Sequence, residues 1–193
     1  MSDVIPVSLG MVKAFILTGD RPVLVDTGTA GNAGRVLAAL GRQGVKPEDI
    51  GLVLITHAHP DHIGSLAELK QTIPAPVAIH RLDAESLRAG VRPDVLLDDE
   101  FDLRQFAVAG RVIWTPGHTR GSVSVMLDSG EAVVGDLVLP RFMAFGPPAI
   151  AFWAASRPDS FVSIGKVLAF KPSVILTSHG GPYKPDALAR LAR

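Results

Sequence analysis

The stretch Leu52-Val53-Leu54-Ile55-Thr56-His57-Ala58-His59-Pro60-Asp61-His62 decides how the chain is read, and everything else is tested by whether it completes what begins there. Leu52 to Ile55 are uninterruptedly apolar with two β-branched residues among them, as in a buried strand of a parallel sheet. The polar residues start where that strand ends, which is where α/β sheets place their chemistry. His57 and His59, two apart in an extended loop, can turn to one side and share a cation. Asp61 and His62 follow at the start of a short helix, expected from Ile63 to Gln71, and turn toward a neighbouring position. A lone histidine after a strand reads as a hydrogen-bonded loop residue. Three histidines and an aspartate packed this closely do not, because burying them without a shared purpose would cost on the order of several kcal/mol in unpaired groups. A metal site is the reading that uses them all.

Composition sets the outer bounds. The 193 residues are enough for one well-buried domain, taken as residues 1–193, and 47% of them are hydrophobic. Lys plus Arg and Asp plus Glu number 19 each, and no run of like charge stands out, which argues against nucleic acid as the main partner. The chain has no cysteine, so a zinc site must be built from histidine and carboxylate. The N-terminus lacks a basic stretch and no apolar run reaches the length of a membrane span. A cytoplasmic protein that acts on a small molecule, without membrane contact, is the resulting expectation.

Taken in order, Val4 to Leu9, Lys13 to Thr18 and Pro22 to Asp26 predict three antiparallel strands separated by Gly10-Met11 and Gly19-Asp20. Asp26 or Thr27 is placed to cap the next helix, whose stripe is Ala33, Val36, Leu37 and Leu40. Val77 to His80 is a further strand and Asp83 to Arg88 a helical segment. His80 reads as a structural or solvent-facing histidine, and Asp98-Asp99-Glu100 as a solvated turn. Phe106 to Val108 and Arg111 to Trp114 are expected to pair as a hairpin across Ala109-Gly110. The second of these strands feeds Thr115-Pro116-Gly117-His118, a tight loop that keeps bulk away from the ring of His118. Gly121 to Leu127 alternates like a strand covered on one face. Ala132-Val133-Val134-Gly135-Asp136 repeats the order strand, glycine, acid, and Ser173 to Thr177 leads into Ser178-His179-Gly180-Gly181. Asp159 is placed to cap a helix with the stripe Phe161, Ile164 and Leu168, and Asp186 to Arg193 forms a closing helix. Between Pro140 and Pro158 periodicity fails, and no charged residue falls between Arg141 and Arg157. That apolar segment reads as a substrate wall, as the contact of a homodimer, or as plain core packing.

His57-Ala58-His59-Pro60-Asp61-His62 resembles the His-x-His-x-Asp-His signature of the metallo-β-lactamase-fold hydrolases. Asp26-Thr27-Gly28 resembles that family's Asp-x-Gly element, and Thr115 to Thr119, Asp136 and Ser178 to Gly180 resemble its remaining ligand segments in the right order. The resemblance implies an α/β protein of four layers, an αβ/βα sandwich of two mixed sheets flanked by helices. It implies one metal held by His57, His59 and His118, another held by Asp61, His62 and His179, Asp136 bridging them, and Asp26 supporting the site from behind. Two zinc ions suit these ligands, with iron or manganese as alternatives. The implied activity is a dinuclear metal-dependent hydrolase in which a metal-bridging hydroxide, oriented by Asp61 as catalytic residue, attacks an ester, lactone or thioester carbonyl. The expected substrate is a small molecule with an apolar acyl part.

Zinc β-lactamases of the best-known type would carry cysteine at 136 and a residue other than histidine at 62, so the nearer likeness is to the glyoxalase II group and acyl-homoserine lactonases. Glyoxalase II carries a helical C-terminal extension that contacts glutathione. Here 14 residues follow His179, a departure that puts glutathione thioesters in doubt as substrates. Two other functions share the motifs: a mononuclear iron oxygenase resembling persulfide dioxygenases, and a metal-stabilised binding module without turnover. The binding module would be expected to have lost a ligand, and none is replaced.

Overall fold

The computed structural model describes residues 3–87, 90–142 and 145–191. Its first sheet has six strands in the order of the chain, β1 (Val4–Ser8), β2 (Lys13–Leu17), β3 (Val23–Val25), β4 (Leu52–Leu54), β5 (Val77–His80) and β6 (Val95–Leu97). The first three run antiparallel, and β3 to β6 run parallel. The second sheet contains β7 (Glu100–Asp102), β8 (Gly110–Trp114), β9 (Val123–Leu127) and β10 (Glu131–Val133), joined antiparallel. A two-stranded ribbon, β11 (Leu139–Phe142) and β12 (Phe145–Ala149), precedes β13 (Val174–Leu176), which adds to the second sheet parallel to β10. The second sheet therefore runs β13-β10-β9-β8-β7.

Alternation along the strands builds the layers. Phe15 and Leu17 of β2, with Leu52 and Leu54 of β4, pack against Val112, Val123 and Val125 of the second sheet. The residues between them, Ile16 and Val53, turn the other way, onto α1 (Ala33–Arg42) through Val36 and Leu40. Both faces of β4 are thus covered, which is why its sequence shows no alternation. The short helices α2 (Pro60–Ile63) and α3 (Leu66–Leu69) lie on the same side as α1. On the outer face of the second sheet, Met126, Ala132 and Ile175 meet Ile164 and Val167 of α4 (Arg157–Ala169) and Leu188 of α5 (Pro185–Ala189). The order is helix, sheet, sheet, helix, the αβ/βα sandwich expected. Each Leu, Ile or Phe buried in it is worth about 1.5–3 kcal/mol relative to exposure. Among the described residues no helix is long and apolar enough to cross a membrane.

Several local expectations are corrected. The helix expected over Ile63 to Gln71 is two single turns, because Ser65 leaves helical geometry to donate its hydroxyl to the Thr29 carbonyl at 2.7 Å and to accept from Asn32 N at 2.8 Å. Asn32, not Asp26 or Thr27, stands at the N-terminus of α1. The partner of β8 is β7, so Glu100 belongs to a strand rather than to a solvated turn. Leu103–Phe106 is a 3-10 turn held by Asp102, whose carboxylate accepts from Arg104 N at 2.9 Å. Strand β9 is buried on both faces rather than one. Helix α4 is capped by Ser156, which accepts from Asp159 N, and buries Ser160, Ser163, Ile164 and Val167 while Phe161 stays exposed. Small serines on that face let the helix approach the Pro116-Gly117 turn, where Ser163 Oγ donates to the Pro116 carbonyl at 2.7 Å. The segment expected as helix at Asp83 is a 3-10 turn over Ala84–Ser86, and Arg88 lies outside the described residues. The closing helix spans Pro185–Ala189, with residues 192 and 193 also outside.

Candidate metal centre and its cleft

The ligand candidates all follow strand ends. His57 and His59 come after β4, Asp61 and His62 lie on α2, His118 follows β8, Asp136 follows β10 and His179 follows β13. The two sheets meet edge to edge of these loops, where Val123 N donates to the Thr56 carbonyl at 3.0 Å. All seven side chains named from the sequence converge.

They do so as two adjoining groups. In the first, His59 Nδ1 lies 3.1 Å from His57 Nε2 and 2.9 Å from His118 Nε2. A tetrahedral zinc with Zn–N bonds of about 2.0–2.1 Å spaces its nitrogens about 3.3 Å apart, close to this. In the second, Asp61 Oδ2 is 3.0 Å from His179 Nε2 and 3.7 Å from His62 Nε2. Asp136 Oδ2 stands between the groups, 3.5 Å from His179 Nε2, 3.6 Å from His62 Nε2 and His118 Nε2, and 4.0 Å from His57 Nε2.

Hydrogen bonds behind the rings fix which nitrogen faces inward. Thr56 Oγ1 donates to Asp26 Oδ2 at 2.7 Å, which leaves its oxygen to accept from His57 Nδ1 at 3.1 Å. His62 Nδ1 donates to Asp26 Oδ2 at 2.8 Å, and His179 Nδ1 donates to the Met11 carbonyl at 2.8 Å. Each of these rings can therefore offer its inward nitrogen to a cation, as a metal ligand must. His62 Nε2 and Asp136 Oδ1 are buried without a hydrogen-bond partner among the described residues. Unpartnered polar atoms in a buried cluster are costly, and a cation between them removes the cost. The donor set fits a pair of metal ions.

The electrostatics agree. Burial, then the neighbouring rings, hold the His57 imidazole well below its usual range, and burial, partly opposed by Asp136, pushes His118 down to about 4. Both are neutral at pH 7. Burial alone would also lower His62 and His179, but Asp26 and Asp136 outweigh it at His62, and the Asp61 hydrogen bond at His179, so both are raised. Burial would raise the Asp61 and Asp136 carboxyls, yet His179 and His62 hold them below the carboxylate range. Both carboxylates are therefore ionised beside these rings, as ligands of a cation must be.

Asp26 supports the site as the resemblance implied, and it adopts a left-handed backbone, φ 60°, to do so. Gly117 is required by its φ of 142° and by close packing, since a Cβ there would lie 2.2 Å from Ser160 Oγ. Gly135, next to Asp136, has φ 54°, and its Cβ would lie 3.0 Å from Thr56 Oγ1. Three contributors escaped the sequence reading: the Thr56 hydroxyl, the Met11 carbonyl and Asp83. Buried Asp83 accepts from Gly121 N at 2.8 Å, Thr119 Oγ1 at 2.7 Å and Ala58 N at 3.3 Å, tying the His57 loop to the His118 loop. No local pattern marks an aspartate whose partners lie in two distant loops. His80 is a structural histidine, buried and stacked on Trp114 at 5.4 Å and 3° between planes.

A cleft of about 670 Å³ opens over the cluster, reaching His59, Asp61, His118, Asp136 and His179. Met11 lies on one side, and Leu139 to Arg141 with Ala149 to Trp153 form the other. The apolar segment expected near the site thus lines it in part. Exposed Phe142 and Phe145, toward the tip of the ribbon, lie outside the cleft lining.

Residues 7–179 match the profile of the metallo-β-lactamase superfamily. The chain belongs to that superfamily. Within it, the chain is 36% identical to a hydroxyacylglutathione hydrolase (glyoxalase II) of Xanthomonas axonopodis pv. citri over 184 residues, covering 89% of this chain and 60% of that protein. It is 31% identical to the metallo-β-lactamase domain-containing protein 1 of Xenopus laevis, covering 92% of this chain and 74% of the other. The crystal structure of the B3 metallo-β-lactamase BLEG-1 superposes with a TM-score of 0.76 over 97% of this chain and 95% of its own, at 23% identity, which establishes the shared superfamily fold.

Proposed function

We propose that this superfamily member is a hydrolase that uses two divalent cations, zinc in the first instance, to cleave an ester, lactone or thioester of a small molecule with an apolar acyl part. The observation that carries the reading is the position of Asp136 Oδ2, within 4.0 Å of imidazole nitrogens from both groups. His57, His59 and His118 would hold one cation, Asp61, His62 and His179 the other, and Asp136 would touch both.

When bound, such a pair supplies Lewis acidity, lowering the pKa of a water between them toward about 7 and polarising a carbonyl oxygen. The chain's own side chains do the rest. Asp61, with 35% of its side chain exposed and facing the cleft, is placed to accept a hydrogen bond from the attacking water and orient it. Asp26 and the Met11 carbonyl keep the protons of His62 and His179 on the outward nitrogens throughout. Ile150, Phe152 and Trp153 offer an apolar surface to the acyl part and exclude water beside the scissile bond. No serine or cysteine lines the cleft among the described residues, in keeping with solvent as nucleophile. The likeness to a hydroxyacylglutathione hydrolase supports a thioester among the candidates, and the chain spans 60% of that relative.

The test is metal analysis together with turnover of a thioester and lactone panel by the metal-loaded protein. Two metal ions per chain, and turnover lost on chelation and in His118→Ala, are expected. Absence of any turnover that depends on both would overturn the hydrolase reading. One iron per chain with oxygen uptake on glutathione persulfide would replace it by the oxygenase.

A further inference from the structure

We infer that the hollow between the end of β1 and the exposed face of α1 is an anion site, separate from the metal centre, whose ligand carries two linked phosphoryl groups. The inference is independent of the hydrolase reading, because no residue of this hollow lines the cleft or belongs to the metal cluster.

The hollow has a volume of about 430 Å³ and is lined by Ser8, Gly10, Arg35, Ala38 and Arg42, a size within the range of small-molecule sites. Its polar groups are donors. Arg35, Ala38 and Arg42 form the exposed stripe of α1, opposite the buried Val36 and Leu40. Neither guanidinium has an ion pair or a hydrogen bond with any described residue. Ser8, exposed at the end of β1, adds a hydroxyl, and Gly10 adds a backbone N–H that no described carbonyl takes up. A Cβ at Gly10 would meet nothing within 4 Å, so the backbone there lies open to a ligand, and its φ of 100° keeps the position for glycine.

Nothing in the lining neutralises the two arginines. No carboxylate borders the hollow, and α1 carries no acidic residue along its length. Arg35 stands in the first turn, where the helix dipole disfavours a cation, so helix stability gives no reason for it. Other arginines of the surface are paired: Arg81 with Asp98, Arg104 with Asp128 and Arg111 with Glu100.

Spacing selects the ligand. Arg35 and Arg42 are two helical turns apart, about 10 Å along the axis, and Ala38 between them is too short to fill the gap. Helical side chains lean toward the N-terminus, so both guanidiniums shift the same way and the gap persists. A ligand with two linked phosphoryl groups can meet both forks, where a single phosphate meets one. The Ser8 hydroxyl and the Gly10 N–H face the same space. Such a group exists as inorganic diphosphate and as the diphosphate of a nucleotide.

The experiment is calorimetric titration with phosphate, diphosphate and ADP of the protein freed of metal by chelation and dialysis, its fold checked by circular dichroism, so that no bound metal competes for the anion. A parallel titration of the metal-loaded protein uses ethane-1,2-disulfonate, a dianion that binds metal weakly. Diphosphate should bind roughly tenfold more tightly than phosphate, the gain from one further charge-assisted contact. Arg35→Ala and Arg42→Ala should each weaken diphosphate roughly tenfold and remove most of its advantage over phosphate, and Arg42→Lys should restore part of it. Arg104→Ala, beside the second sheet, should leave it intact. ADP bound as tightly as diphosphate would support the site with a nucleotide as its ligand, and much weaker ADP would support it with the inorganic anion. Diphosphate bound no more tightly than phosphate overturns the inference, as does wild-type affinity for diphosphate in both alanine variants. Equal binding of the disulfonate by the metal-loaded wild type and by the variant carrying both Arg35→Ala and Arg42→Ala overturns it as well. None of these readouts requires turnover, so failure of the hydrolase reading would leave them standing.

Discussion

Asp26→Asn preserves the shape of a fully buried side chain and changes one acceptor into a donor. In the wild type, Oδ1 accepts from Thr56 N at 2.8 Å, and Oδ2 accepts from Thr56 Oγ1 at 2.7 Å and His62 Nδ1 at 2.8 Å. If the new amide nitrogen takes the place of Oδ2, His62 Nδ1 must become an acceptor. Its proton then moves to Nε2, the atom aimed at Asp61 and Asp136. The Thr56 hydroxyl, refused by the amide, turns to His57 Nδ1 and drives that ring's proton inward as well. If the amide is flipped, two buried donors meet at Thr56 N. Either way a hydrogen bond to a charged group worth about 1.5–3 kcal/mol is lost. At about 1.4 kcal/mol per factor of ten, that is roughly 10- to 150-fold in metal affinity, in line with the about 10- to 100-fold seen for partners behind ligating histidines.

The measurement is zinc affinity by competition against a chromophoric chelator, with thermal melts of both metal-free proteins alongside. Because Thr56 links Asp26 to His57, both binding steps should weaken, not only the one that involves His62. Wild-type affinity for both ions in Asp26→Asn would refute the claim that tautomer control from Asp26 prepares the site. A loss confined to one step would show that Thr56 does not relay the change.

Three further outcomes follow from the same geometry. Gly117→Ala sets a Cβ 2.2 Å from Ser160 Oγ and 2.6 Å from Ser160 Cα at φ 142° and should cost about 2–4 kcal/mol in denaturant unfolding, a cost that adding Ser160→Gly should not return because the backbone contact stays. Asp83→Ala strips Gly121 N and Thr119 Oγ1 of their acceptor, so stability should fall by about 2–4 kcal/mol and zinc affinity should drop at the group containing His118; unchanged affinity would limit Asp83 to a structural role. Zinc held at about a thousand times its Kd should stabilise the folded chain by about 4 kcal/mol, so chelation should lower Tm, and an identical Tm with and without metal would count against a site built to hold it.

The seven converging side chains were legible because they fall within a few residues of the ends of buried apolar runs, in segments that resemble the family's ligand motifs in the right order. Asp26 was legible for the same reason, although its capping role was not borne out: its carboxylate is committed to Thr56 and His62. What escaped notice depends on partners far along the chain. The Met11 carbonyl meets His179 across 168 residues, and Asp83 joins loops 25 and 38 residues away. Backbone acceptors carry no residue signature at all. The misplaced hairpin has a related cause, since Phe106 and Val108 are apolar because they are buried beneath the sheets, not because they pair with β8. At α4 the stripe was sought in large residues, whereas close approach to Gly117 selected serines.

The architecture explains why the site needs both sheets. His57, His59, Asp61 and His62 follow a strand of the first, and His118, Asp136 and His179 follow strands of the second. The seam beside them is stitched by backbone bonds, Val123 N to the Thr56 carbonyl at 3.0 Å and Lys13 N to the Ser178 carbonyl at 2.9 Å, with the Lys13 ammonium donating to the Gly180 carbonyl. Below the seam, Phe15, Leu54 and Val125 fill the space between the sheets. Cations shared across Asp136 would therefore add to the apolar packing and backbone bonds that join the two halves, and the spacing of the sheets would in turn set the spacing of the ligands. Because packed interiors yield little to compression, a change of even one methylene between the sheets acts on the site as well as on the core. In this chain, the distances among the nitrogens and carboxylates are a property of the whole sandwich rather than of the loops that carry them.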